Sequence, residues 1–175
     1  MRKATLIGLA VGAVVALGCG AGSTATSGGS GNSGNNGGKT AAKTAKVGEP
    51  ARDGKFEFTV QQVKCGVPQV GSDLLNKKAQ GQFCLVTVQV KNIGTQAQSF
   101  SDSSQKAFGA DKTQYSADSE AAVYANEHAD TLFNQINPGN QVTGVVVFDI
   151  PASANLATLE LHDSPFSGGV TVQLT

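Results

Sequence analysis

From Val47 to the C-terminus the apolar positions recur with a period of two rather than 3.6, the spacing of half-buried strands. Phe56, Phe58 and Val60 alternate with Glu57 and Thr59. Gln82, Cys84, Val86, Val88 and Val90 fall on one face of a second run, with Phe83, Leu85, Thr87, Gln89 and Lys91 on the other. Val142, Gly144, Val146, Phe148 and Ile150 share a face, opposite Thr143, Val145, Val147 and Asp149. Leu159 and Leu161 alternate with Thr158, Glu160 and His162, and Val170, Val172 and Leu174 alternate with Thr171, Gln173 and Thr175. Turn residues separate these runs. Asn92-Ile93-Gly94 follows the second, Asn137-Pro138-Gly139-Asn140 precedes the third and Pro151 ends it. Proline pre-sets φ and glycine accepts φ > 0, so such tetrads reverse the chain. Short alternating strands punctuated in this way predict an all-β fold, an antiparallel β-sandwich over 47–175. The stretch 116–129 fits either a short helical turn or a loop, and Val123-Tyr124 would also suit an edge strand.

The first 46 residues follow another pattern. Arg2 and Lys3 precede an uncharged apolar run, Ala4 to Gly18, which is too short to span a hydrocarbon core of about 30 Å comfortably. A basic start, a short apolar stretch and small residues at its end describe a secretory signal peptide over 1–18. Ala16-Leu17-Gly18-Cys19 resembles a bacterial lipobox, in which a small residue precedes a cysteine that is lipidated and becomes the new N-terminus. Ala16 and Leu17 depart from the residues most common in that motif, and an ordinary signal peptide cut a few residues later is the alternative. Residues 20–46 contain eight Gly, four Ser, four Thr, three Asn, five Ala and three Lys. Such a segment cannot bury enough surface to offset its ordering entropy, so 19–46 is expected to be a lipidated Cys19 followed by a disordered tether. As a coil it would reach roughly 25–30 Å.

Cysteine use agrees with export. With Cys19 assigned to lipid, Cys65 and Cys84 remain as a pair, and a disulfide between them is expected in an oxidising compartment. Cys84 shares the face of Val86, Val88 and Val90. Cys65 reaches that face only if one residue near Gln61-Gln62 is bulged, and both sulfurs would then point into the core.

Composition narrows the chemistry. The 175 residues carry thirteen Lys or Arg and thirteen Asp or Glu, a formal net charge of zero, which disfavours a nucleic-acid partner. That zero is a cancellation: +2 in the n-region, +3 in the tether and −5 over 47–175. Within the domain, 47–112 is +2, whereas 113–175 has no Lys or Arg and is −7. The tether is therefore expected to face an anionic membrane and the acidic half to be repelled from it.

Candidate ligating groups are few. His128 and His162 lie near Asp130 and Asp163, but His162 falls in the outward register and His128 in a polar stretch, so both read as solvated surface residues. Asp118, Glu120, Glu127 and Asp130 are the candidates for calcium, which takes six to eight hard oxygens. No EF-hand pattern accompanies them. No GxSxG and no GxxxxGK[ST] element is present, so neither an enzyme nor a bound cofactor is expected.

Four features together carry a resemblance: the lipobox-like signal and tether; Val47-Gly48-Glu49 leading into Phe56 to Val60; Leu85 to Gly94; and the Pro138-Gly139 turn feeding Gly144 to Pro151. The chain resembles a family of bacterial lipoproteins of unknown function. Their extracellular domain is immunoglobulin-like and similar to a secreted mycobacterial immunoprotective antigen. The resemblance implies an immunoglobulin-like sandwich and supplies no catalytic residue. The expected function is a non-catalytic, membrane-anchored surface module that binds an envelope or host protein or polysaccharide. A small-ligand or calcium carrier using the acidic 118–130 stretch is the alternative.

Overall fold

The computed structural model describes residues 44–126 and 134–175, all within one compact unit, Gly38–Thr175. The strands are β1 (Thr44–Lys46), β2 (Pro50–Asp53), β3 (Phe56–Gly71), β4 (Asn76–Asn92), β5 (Gln98–Ser99), β6 (Lys106–Gly109), β7 (Gln114–Ser116), β8 (Gln135–Ile136), β9 (Gln141–Ile150), β10 (Leu156–Leu161) and β11 (Val170–Gln173). A 3₁₀ turn, Asp102–Ser104, and one helix, α1 (Ser119–Ala125), complete them. Two main sheets form, ordered β1-β11-β10-β6-β7 and β2-β3-β4-β9, with a small β5-β8 pair beside them.

The alternation fixes which faces meet. Phe56, Phe58, Val60, Cys84, Val86, Val88, Val90, Val146, Phe148 and Ile150 from one sheet bury against Ala107, Leu156, Leu159, Leu161, Val170 and Val172 from the other. This is the expected all-β sandwich. The rings of Phe56, Phe58 and Phe100 cluster at one end of it, with centroids 5.9–6.4 Å apart. Each fully buried side chain of this size contributes about 1.5–3 kcal/mol. The Asn137–Asn140 turn forms as expected, with Asn140 N–H donating to Asn137 O at 3.0 Å.

Two expectations change. The first strand, Thr44–Lys46, lies inside the stretch assigned to the tether and pairs with β11 in parallel. Its short polar sequence carries no strand signal of its own, and pairing is what orders it. Strands β3 and β4 extend well beyond the alternating runs, from Val60 to Gly71 and from Asn76 to Gln82, as a long hairpin. Gly, Pro and Lys residues hide that extension from a periodicity reading. Within 116–126, where the sequence leaves both a helical turn and a loop open, the chain takes the helical alternative as α1.

The two ends of the sandwich differ. Thr44 pairs with Thr171 beside the 162–169 loop, so the chain enters the domain at that end. The β2–β3 turn is at the same end, where Lys55 N–H donates to Asp163 Oδ2 at 3.3 Å. The tip of the β3–β4 hairpin lies at the other end, about 50 Å along β3 at roughly 3.3 Å per residue.

Candidate functional site

Phe83, Leu85, Val145 and Val147 fall on the face opposite the sandwich core, and the structure shows what covers them. Helix α1 packs on the outer face of the β4–β9 half of the sheet. Ala121 and Ala122 bury against Val70, Phe83 and Val147, with Val67, Leu85, Tyr124 and Val145 around them. Alanine at both contact positions lets the helix backbone approach the sheet closely. A helix of seven residues is too short to persist alone, so its anchors decide its position. Asp118 caps it by accepting the Ala121 N–H at 2.9 Å. The Asp118 N–H donates to Val147 O at 2.7 Å, tying the N-terminus to the edge of β9. At the other end the Asn126 carboxamide acts as a substitute peptide. Its Oδ1 accepts the Val145 N–H at 2.8 Å and its Nδ2 donates to Val145 O at 3.0 Å.

Asp118 and Glu120, two of the four calcium candidates, do come together, but around a cation of the protein itself. Lys77 Nζ lies 2.9 Å from Asp118 Oδ1 and 2.8 Å from Glu120 Oε2. Hydrogen bonds that Lys77 donates to Glu120 first and Asp118 second raise its ammonium above its ordinary value. Burial pushes the Asp118 carboxyl upward, but the Ala121 N–H and Lys77 outweigh it and hold Asp118 below its ordinary value. Glu127, Asp130 and His128 lie outside the described residues, as does Cys19. Among the described residues no cluster of three or more His, Cys, Asp or Glu is placed to hold a metal ion. The other acidic groups of 113–175 in the described residues also have partners. Asp149 accepts the Gln80 and Gly81 N–H groups, Glu160 sits against His162, and Asp163 accepts Lys55 N–H.

His162 is not a surface residue. Its register is outward, as expected, but the 164–169 loop folds back over the ring and leaves it 4% exposed. Nδ1 lies 3.3 Å from Ser167 O and 3.4 Å from Ser167 Oγ, and Nε2 lies 2.9 Å from Glu160 Oε1. Gly169, at φ +70°, makes the cover possible, because a Cβ there would come within 2.7 Å of His162 Cε1. The Ser167 hydroxyl donates to Ser164 O at 3.0 Å, closing the loop on itself. On the other side of the strand, Gln105 accepts the His162 N–H at 2.8 Å and donates to His162 O at 3.1 Å.

The Cys65–Cys84 disulfide is present, and the expected bulge is there too: Val60 pairs with Val88 while Gln62 pairs with Thr87, leaving Gln61 extra. The bond joins neighbouring strands of one sheet rather than bridging the two sheets. Only Cys84 points into the core; Cys65 is exposed.

The feature missed in the sequence is a groove of about 750 Å³ between the hairpin and α1. Gln69, Val70, Gly71, Ser72 and Leu75 form one wall, Val123, Tyr124 and Ala125 the other, with Leu85 between them. Two of its lining side chains stand exposed, Leu75 at 69% and Val123 at 50%, and Leu74, next to Leu75 in the hairpin turn, is 93% exposed. Its volume is in the range of small-ligand and peptide sites, about 300–1,000 Å³. At the opposite end of the domain, where the chain enters, Phe166 is 98% exposed.

Comparison with known proteins agrees with this architecture. The secreted protein MPT63 from Mycobacterium tuberculosis superposes with a TM-score of 0.54 at 16% identity, over 74% of this chain and 95% of that one. The yjhA protein from Bacillus subtilis gives 0.53 at 19% identity, over 75% and 99%. An uncharacterised β-sandwich protein from Clostridium difficile 630 gives 0.50 at 16% identity, over 76% and 94%. At these identities the likeness is one of fold. No curated protein matches the chain. Residues 45–171 match the model of the domain of unknown function DUF4352, and the chain belongs to that family.

Proposed function

We propose that this protein is a non-catalytic, extracytoplasmic binding module, lipid-anchored through Cys19, that presents the hairpin–helix groove to a partner in the envelope or on a host surface. The observation that carries this reading is the exposure of Leu75 and Val123 in the lining of one open groove, with exposed Leu74 beside Leu75 in the hairpin turn. Contiguous apolar surface on a small exported domain costs solubility and marks interaction sites. Placement supports it: the groove lies at the far end from Thr44, so a chain anchored upstream of Thr44 carries it away from the membrane. The signal-like start of the chain and a secreted protein of similar fold favour an extracytoplasmic setting.

Photo-crosslinking tests the reading. A benzophenone side chain at Val123 in the full chain, irradiated on intact cells, is expected to yield a discrete adduct. Leu74→Asp combined with Leu75→Asp should abolish it without altering the fold, since both side chains are exposed. Absence of any adduct, or an adduct indifferent to the two aspartates, would remove the groove as the binding site.

A further inference from the structure

We propose that the Cys65–Cys84 disulfide is a thiol-exchange site: it pins the register of the outer β3–β4 hairpin, and a dithiol reductant opens it by attack on Cys65. The inference goes beyond the binding role and stands whether or not the groove is occupied.

The ladder around the bond supplies the first argument. From Phe56↔Asn92 to Val60↔Val88 the β3–β4 pairing is regular, as is β4–β9 from Gln82↔Ile150 to Lys91↔Gln141. Beyond Val60, β3 shifts register at three places: Val60/Gln62, Lys64/Val67 and Val67/Gln69. Gly66, at φ +80°, lies within the second of these. Each irregularity interrupts the hydrogen bonds that fix register, and a one-residue slip moves every side chain to the other face. Here a slip would take Val70 out of its contact with Phe83 and Ala121 and dismantle the groove wall of Gln69–Ser72. The disulfide crosses the two strands between the first and third irregularities, where the ladder specifies register least.

The second argument is access. Cys65 is exposed on a stretch of β3, Gln61–Gly71, whose far edge has no partner strand among the described residues. Cys84 is fully buried. A thiolate arriving from solvent therefore meets the Cys65 sulfur, with Cys84 as the leaving group on the inner side. In the first step the reductant's thiolate forms a bond to Cys65 Sγ. The Cys65–Cys84 bond breaks, and its electron pair leaves on Cys84 Sγ, which takes up a proton. The reductant's second thiol then attacks its own sulfur in the mixed disulfide and expels the Cys65 thiolate, which is protonated. The dithiol is oxidised to a disulfide and the protein is reduced by two electrons.

Two measurements on the full chain decide the matter. The first uses a small dithiol oxidoreductase whose resolving cysteine is replaced by serine, so that the mixed disulfide is trapped. Peptide mapping is expected to place the adduct on Cys65; an adduct on Cys84, or none, overturns the proposal. The second compares amide hydrogen exchange of the oxidised protein, the protein held in excess dithiol, and a Cys65→Ser, Cys84→Ser variant. Exchange at Gln69–Lys78 is expected to accelerate roughly tenfold or more on reduction, with Val86, Val88 and Val146 unchanged. Unchanged exchange throughout, or equal acceleration in hairpin and core, contradicts a register pin. Excess dithiol supplies the reduced state even if the double serine variant does not fold.

Discussion

Gln105 offers the sharpest test of how the sandwich is closed. Its side chain is fully buried just before β6, one step past the Lys106↔Glu160 pair of the β6–β10 ladder. The carboxamide continues that ladder in place of a backbone. Oε1 accepts the His162 N–H at 2.8 Å, and Nε2 donates to His162 O at 3.1 Å and to Ser101 O at 2.7 Å. Gln105→Leu keeps much of the volume but strips partners from one N–H and two carbonyls. A buried polar group left without a partner costs about 1–3 kcal/mol. Slight relaxation of the half-buried Ser101 reduces the sum, so the expected loss is about 3–5 kcal/mol, against a total stability of about 5–15 kcal/mol. Urea unfolding followed by circular dichroism reads it directly. With a slope of about 2 kcal/mol/M, the midpoint should fall by roughly 1.5–2.5 M. Gln105→Glu makes the reasoning stricter. As a carboxylate it cannot donate to either carbonyl, whereas protonated it regains a donor, so this variant should gain stability relative to wild type as pH falls through its carboxyl's pKa. A loss below about 1 kcal/mol in Gln105→Leu would refute the substitute-strand account.

Other expectations follow from neighbouring contacts. Asn126→Ala removes both hydrogen bonds to Val145 and should cost about 1–2 kcal/mol, with faster exchange of the Val145 amide by NMR. Gln82→Ala frees Pro151 O, Ala152 O and Ala154 O, all within 2.9–3.2 Å of its Nε2, and should loosen the β9–β10 turn with a loss of about 1 kcal/mol in the same urea assay. The Lys77 cluster predicts a pH window. Asp118 lies below its ordinary value, so its contribution is complete above the unfolded carboxyl range and is lost as pH falls through the folded value. Lys77 is raised, so its contribution is complete below the ordinary lysine range and is lost as pH rises through its folded value. Protection of α1 amides should therefore be flat between about pH 5 and pH 9 and decline on both sides; Lys77→Met should remove the alkaline decline and only reduce the acid one, because the Ala121 N–H still holds Asp118 down.

The inner faces of the sandwich were legible because burial on one side leaves a period-two trace. Phe56 to Val60, Cys84 to Val90 and Val146 to Ile150 fall where the alternation put them. The bulge was legible as well, since Cys65 and Cys84 pair only if β3 gains a residue. What alternation does not carry is support made by polar side chains. Asn92, Gln105 and Asn126 complete strand ends and turns with their carboxamides, yet in sequence they look like solvated loop residues. Phe83 and Val147 were visible as apolar residues on the polar side, a signal that something covers that face. The cover, Ala121-Ala122, is too small to announce itself. His162 keeps the outward register its alternation implies but is buried, because its cover comes from a loop, and loops that fold back leave no periodicity. The groove depends on the distance between a hairpin tip and a helix, which no local pattern encodes.

The proposed binding role places the partner at the hairpin–helix end, far from Thr44. Hydroxyl-radical footprinting of the full chain, on intact cells and in purified form, tests it most directly. The account predicts that Leu74, Leu75 and Tyr124 lose labelling on cells while Phe166 labels equally in both. Protection of Phe166 with undiminished labelling at Leu74 and Leu75 would contradict it.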